Sequence, residues 1–165
     1  MKKYLIPFAA ILFLVACNSS SDKTTADNKD SSMQMDMHSV TPVEMPPMPE
    51  VPATAKVFFV NIKDGQTVTS PFKVEMGVVG MSVDTANGII KVASGHHHIL
   101  IGIDSVATET VIPKDSVHLH FGNAQTEAEV TLPPGKHTLT LQFADALHRS
   151  YGKRLTSKVT VNVKK

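Results

Sequence analysis

Histidine carries most of the chemical potential of this chain. Eight histidines are present, and five of them crowd between Gly95 and Phe121, as His96-His97-His98 and as the pair flanking Leu119, His118 and His120. His137 and His148 follow at wider spacing. A neutral imidazole offers a nitrogen lone pair, and residues at i and i+2 of a strand lie roughly 6.5–7 Å apart on one face. Two such pairs on neighbouring strands can converge on one ion, and a site of imidazoles without thiolate suits Zn2+, Cu2+ or Ni2+. The candidate metal ligands are therefore His96, His97, His98, His118 and His120, with His137 and His148 in reserve, and copper or zinc is the expected ion. Asp104 and Asp145 are candidates to hold the far ring nitrogens. Ordinary roles compete with these: His97 as a hydrogen-bonded histidine at the core edge, and His137 as a strand-starting residue after the Pro133-Pro134-Gly135 turn.

Softer donors lie upstream. Met33, Met35 and Met37 with His38, followed by Met45 and Met48, resemble the Met-rich segments of copper-handling periplasmic proteins. Thioether sulfur prefers Cu(I), and spaced methionines on a loose chain can wrap one ion. A low-complexity linker with compositional methionines would read the same way.

Strands must position the histidines. Lys56–Asn61, Phe72–Val78, Ile99–Ile103, Val117–Phe121, Glu129–Leu132, Thr138–Phe143 and Lys158–Val163 carry period-two or short apolar patterns between Gly, Pro, Asn and Asp turns. No 3.6-residue period follows the N-terminal segment. About seven short strands argue for an all-β, immunoglobulin-like β-sandwich, with a small open barrel as the alternative. The absence of tryptophan and of a cysteine pair excludes an antibody-type domain. Alternation puts His97 on the core face with Ile99, Ile101 and Ile103, and His96 and His98 on the opposite face with Leu100. His118 and His120 lie opposite Val117, Leu119 and Phe121, on an expected outward face.

The rest of the chain sets an address. Lys2 and Lys3 precede an apolar run, Tyr4–Val15, of secretory-signal length, ending in Leu14-Val15-Ala16-Cys17. This resembles the lipobox of bacterial lipoproteins, in which the cut falls before the cysteine and the thiol carries a lipid. Residues 1–16 are thus expected to be a signal peptide and Cys17, the single cysteine, the lipidation site. The protein would then sit in the cell envelope, membrane-attached through its N-terminal lipid and facing the periplasm or the exterior. Residues 17–54, with 2 Lys and 6 Asp+Glu, read as a disordered tether, Ser/Asp-rich and then Met/Pro-rich and polyproline-like. Residues 55–165, with 12 Lys+Arg against 9 Asp+Glu, read as one domain.

Several function classes are disfavoured. Residues 17–165 hold 14 Lys+Arg and 15 Asp+Glu, which gives no basic stripe for nucleic acid. Gly80-Met81-Ser82-Val83-Asp84 lacks the second glycine of a nucleophile elbow. Neither an HExxH pattern nor a Gly-rich phosphate loop occurs. With Tyr151 the only tyrosine outside the signal and no tryptophan, a carbohydrate-stacking platform is poorly supplied. The expectation is a non-catalytic metal-binding chaperone, buffer or sensor, and the alternative a module whose histidines serve the fold or contact an envelope protein partner. A metal-dependent hydrolase, built on three histidines and an open position, is the remaining enzymatic option.

Longer stretches carry a family resemblance. Ala55–Val60, Gly65 with Val68–Val74, Gly95-His96-His97-His98, His118–Gly122 with Gln125-Thr126-Glu127, Leu132–Leu139, and Ala144-Asp145 with His148 behind are similar to an uncharacterised bacterial family, domain of unknown function 4399. The resemblance spans residues 55–165 in matching order and implies an exported domain defined by its histidine motifs. It implies no activity. The lipobox and Met-rich segment lie outside the family pattern.

Overall fold

A computed structural model describes residues 44–165. The signal segment, Cys17, Met33, Met35, Met37 and His38 lie outside the described residues. Nine strands appear among the described residues: β1 (Lys56–Phe59), β2 (Gln66–Thr69), β3 (Phe72–Val79), β4 (Ser82–Val83), β5 (Ser94–Ile101), β6 (His118–Phe121), β7 (Glu127–Val130), β8 (Gly135–Ala144) and β9 (Thr156–Lys164). A single 3-10 turn, Lys153–Leu155, precedes β9. The period-two patterns form strands, with one correction: β5 ends at Ile101, and after Gly102 at φ 72° Ile103, expected on the core face, packs instead with Leu100 and Ile112. The two unanticipated elements have physical reasons. Gln66–Thr69 has no fully buried position and pairs with β9 at the edge of a sheet, and Ser82–Val83 is too short to show a period.

The strands make two sheets packed as a sandwich. One has the order β1-β3-β7; the other runs β2-β9-β8-β5. Two short strands share the far edge of β5. β4 pairs in parallel with its first residues, and β6 pairs antiparallel with His97–Leu100. Val57, Phe59, Phe72, Val74, Met76 and Val130 of the first sheet meet Ile99, Leu139, Leu141, Phe143, Val159, Val161 and Val163 of the second. Both sheets present apolar residues inward at every second position, so one interface removes both faces from water.

The second sheet is covered on its outer side as well. Thr140, Gln142 and Ala144 of β8 and Leu100 of β5 point away from the main core, yet all are buried. A smaller apolar cluster of Leu100, Ala144 and Ile112, with Ile103 and Val106 beside it, lies there. The chain after β5 folds back over this face. Ile112 N donates to His148 O at 2.9 Å, Ser150 N to Thr110 O at 2.9 Å and Val106 N to Gln142 Oε1 at 3.2 Å. β5 therefore lacks a water-facing side. Alternation sorts its residues between two interiors, and seven of its eight residues are buried.

The compact unit begins at Glu44, ahead of the Ala55 boundary expected from composition. Met48 and Val51 pack against the core. Arg149 Nη1 donates to Pro46 O at 2.6 Å, and Arg154 donates to Val51 O at 3.2 Å and to Pro52 O at 2.6 Å. Proline lacks an N–H but keeps its carbonyl. A proline-rich segment that makes no ladder of its own can thus be gripped by arginines.

Leu141 lies wholly inside the sandwich. Leu141→Ala is expected to lower unfolding free energy by about 2–5 kcal/mol in chemical denaturation. Val92→Ala, on a residue 80% exposed, should change it by no more than about 0.5 kcal/mol. Equal effects would contradict the assigned core.

Candidate metal centre

β5 supplies the first two imidazoles. His96 and His98 sit at i and i+2 on its outer face, fully buried, with Nε2 atoms 2.9 Å apart. β6 supplies the third. Its antiparallel register places His120 opposite His98, and the two rings lie 5.1 Å apart between centroids. The potential ligand atoms of His96, His98 and His120 all lie within 4.8 Å of one another.

The turn after β8 supplies a fourth imidazole. His148 Nε2 stands 3.0 Å from His120 Nε2, and its ring is 5.0 Å from that of His96. His148 has φ 65°, in the left-handed region that side chains rarely occupy. The turn is held by Asp145, whose Oδ1 accepts from the N–H groups of Leu147 and Arg149, both at 2.9 Å. Asp145 Oδ2 accepts from Arg149 Nε at 2.7 Å, and this ion pair is almost wholly buried. His148 thus sits in a backbone conformation that its neighbours impose.

Glycine makes room for the ring on β6. A Cβ on Gly122 would come within 2.3 Å of His120 Cε1 and 2.4 Å of Nε2. The segment following β4 closes over the same place. Ala86 N donates to Gly122 O at 2.8 Å, and Gly88 N to Ala146 O at 3.2 Å.

The remaining histidines separate from this cluster. His97 is buried on the core face, as alternation requires, with its ring edge-on to Phe143 at 4.9 Å. Neither ring nitrogen of His97 has a protein partner, so it is not the hydrogen-bonded histidine of the ordinary reading. His118 accompanies His120 on β6, but its Nδ1 bonds Asp115 Oδ1 at 2.9 Å. His137 Nε2 donates to Pro133 O at 2.8 Å, tying the ring to the turn before β8. The expected outward face of β6 is corrected: His118 and His120 are half-buried, because β5 and the His148 turn lie against them. The expected carboxylate partners are also corrected. Asp145 is committed to Arg149, and Asp104 is exposed and pairs with Lys158 at 2.8 Å. The sequence had placed His148 only in reserve and passed over Gly122 and Arg149, whose roles depend on contacts across the fold.

Burial sets the charge state. Removal from water, reinforced by the neighbouring imidazoles, pushes His96 down to about 3 and His98 down to about 2; burial alone pushes His97 to about 4. His120 is lowered by burial first, then by His148 and Lys114. The buried rings are therefore neutral at pH 7 and keep a lone pair each. The Nδ1 atoms of His96 and His98 have no protein partner, so the two rings bond only to each other, tip to tip. A tetrahedral ion with bonds of about 2.0–2.1 Å spaces its nitrogens about 3.3 Å apart. Spreading the two close contacts, at 2.9 and 3.0 Å, by a few tenths of an ångström and drawing in the wider separations, within 4.8 Å, reaches that spacing, so the residues fit such an ion.

The sequence profile of the family described as a domain of unknown function (DUF4399) matches residues 74–164, more than half of the chain. The match runs from β3 through β9 and includes all four clustered histidines; β1 and β2 precede it. No curated protein and no solved structure is similar enough to count as a match.

The buried histidines predict an acid-sensitive fold. Their folded-state pKa values lie below the unfolded value of about 6.5, so the unfolded chain binds more protons between the two. Stability is complete above about pH 6.5 and falls as pH drops toward the folded values. The slope is about 4 kcal/mol per pH unit while His96, His97 and His98 protonate only on unfolding. Ion-free thermal melts from pH 8 to pH 4 should show this loss, and His97→Leu should reduce the slope by about a third. Flat stability between pH 7 and pH 5 would contradict burial of the neutral rings.

Proposed function

The chain belongs to the DUF4399 family, and we propose that its domain binds a divalent transition metal, copper or zinc, through His96, His98, His120 and His148. The observation that carries this reading is the convergence of three imidazoles from β5 and β6, their ligand atoms within 4.8 Å of one another, with His148 of the turn after β8 standing 3.0 Å from His120. Nitrogen donors without thiolate or carboxylate favour a borderline ion such as Zn2+ or Cu2+ over Mg2+ or Ca2+. The role we assign is non-catalytic: a chaperone, buffer or sensor for that ion. The lipobox-like Leu14–Cys17 supports placing it at the cell envelope, held to the membrane through lipid on Cys17. Met33, Met35, Met37 and His38 would add a Cu(I)-preferring segment to the same chain.

One observation favours a second reading. The Nε2 atoms pair with each other at 2.9 and 3.0 Å, so the rings can partly satisfy one another without any ion. In that case the cluster is structural, and the domain is an envelope binding module.

The readings separate in a thermal melt of the full chain with Zn2+, Cu2+ or Ni2+ at fixed pH near 7.5. An ion bound only by the folded state adds about 2.7 kcal/mol at a hundredfold excess over Kd. We expect a stoichiometric, ion-selective rise. His120→Ala should abolish it. Gly122→Ala should weaken it at little cost to stability, by displacing the ring tip. His118→Ala should leave it intact, since that residue bonds Asp115. No rise with any ion would return the cluster to structure.

A further inference from the structure

The four imidazoles are not held alike. His96, His98 and His120 stand on paired strands, and the ladder between β5 and β6 fixes their register. His148 stands on a turn whose geometry depends on Arg149. That guanidinium has two tasks. Its Nε donates to Asp145 Oδ2 at 2.7 Å, and Asp145 in turn organises the turn through the N–H groups of Leu147 and Arg149. Its Nη1 reaches out of the turn to Pro46 O at 2.6 Å. Arg149 is 2% exposed, so this carbonyl is part of what a desolvated cation has in place of water.

We propose that Arg149 is a positioning residue for His148, and that the Glu44–Pro52 strap it grips sets whether the centre offers four imidazoles or three. The inference rests on the metal-binding reading and adds its regulation. With the strap docked, the ion pair is complete, the turn is rigid and His148 is kept at φ 65° beside His120. With the strap withdrawn, Nη1 loses its acceptor, water reaches the guanidinium, and the pair is held by Asp145 alone. The turn keeps its backbone bonds from His148 N to Asp145 O and from Ile112 N to His148 O, both at 2.9 Å, but the side-chain scaffold around Asp145 loosens, and the left-handed conformation at His148 loosens with it. The three strand-borne histidines keep their places. A closed four-nitrogen site becomes a three-nitrogen site with an open position, which binds less tightly and admits an outside ligand.

The strap is suited to such a role. It contributes no strand, and its polar contacts are carbonyls offered to two arginines, Arg149 and Arg154. Its apolar contacts are Met48 and Val51, both only partly buried. It also leads directly toward the N-terminal part of the chain. Anything that engages that part from outside would act on the centre through Pro46.

A double-mutant cycle on the full chain tests this, with Cu2+ as the probe. Affinity is read by chelator competition, and the number of coordinating nitrogens by electron paramagnetic resonance. His148→Ala should remove one nitrogen. Arg149→Lys should weaken binding about 10–100-fold, as loss of a residue orienting a ligand does, and should also remove one nitrogen. Combined, the two should cost no more than His148→Ala alone. If Arg149→Lys does not fold, replacing Met45-Pro46-Pro47 by Gly-Ser-Gly leaves the ion pair in place and loosens the strap; a smaller loss in the same direction is expected. Unchanged affinity and nitrogen count in the variants overturn the inference, as does an equal loss from Arg149→Lys in the His148→Ala background. Failure of the unmodified chain to bind any ion is a different result, and removes the metal reading itself.

Discussion

The burial of β5 on both faces is the constraint on which the rest depends. A strand at the surface of a sandwich would leave every second histidine in water, free to protonate near its ordinary pKa. Here the segment after β5 covers Leu100 on the outer face through Ile103, Val106 and Ile112, and His120 and His148 lie against His96 and His98. His96 and His98 consequently become neutral donors in a low-dielectric pocket, and His97 becomes a core residue against Phe143. Three adjacent imidazoles in such a setting oppose stability at acid pH. They are tolerated because a large apolar core lies on one side of the strand and a smaller cluster covers part of the other.

That arrangement explains what the sequence could show. Strand positions with one buried face, such as Val57 and Phe59 of β1 or Phe72, Val74 and Met76 of β3, follow period two and were legible. The face assignment of His97 was legible for the same reason. The burial of His96 and His98 was not. Alternation reports which residues share a side, but only the fold-back of a distant loop decides whether that side meets water. β2 and β4 escaped because one is polar and the other short.

The candidate site was half legible. Histidine spacing identified His96, His98 and His120, but the pairing of β5 with β6 that joins them is a long-range fact. His148 sits where no periodicity applies, in a turn after β8, and it enters the cluster through a left-handed backbone and a buried ion pair. Asp145 looked like a partner for a ring nitrogen; its geometry makes it the organiser of the turn instead. His118 matched His120 in sequence pattern, yet local bonding to Asp115 gives it a different occupation.

The clustered rings come from parts of the chain well separated in sequence; His120 and His148 alone are 28 residues apart. An ion held among them would therefore act as a reversible cross-link, closing two loops at once. The described domain contains no cysteine, so no disulfide can restrict its unfolded ensemble in that way. Such a link would raise the barrier to unfolding while loaded and release both loops when the ion departs. Ion occupancy would then be written into proteolytic lifetime. The same cluster would make the protein's persistence a record of the metal around it.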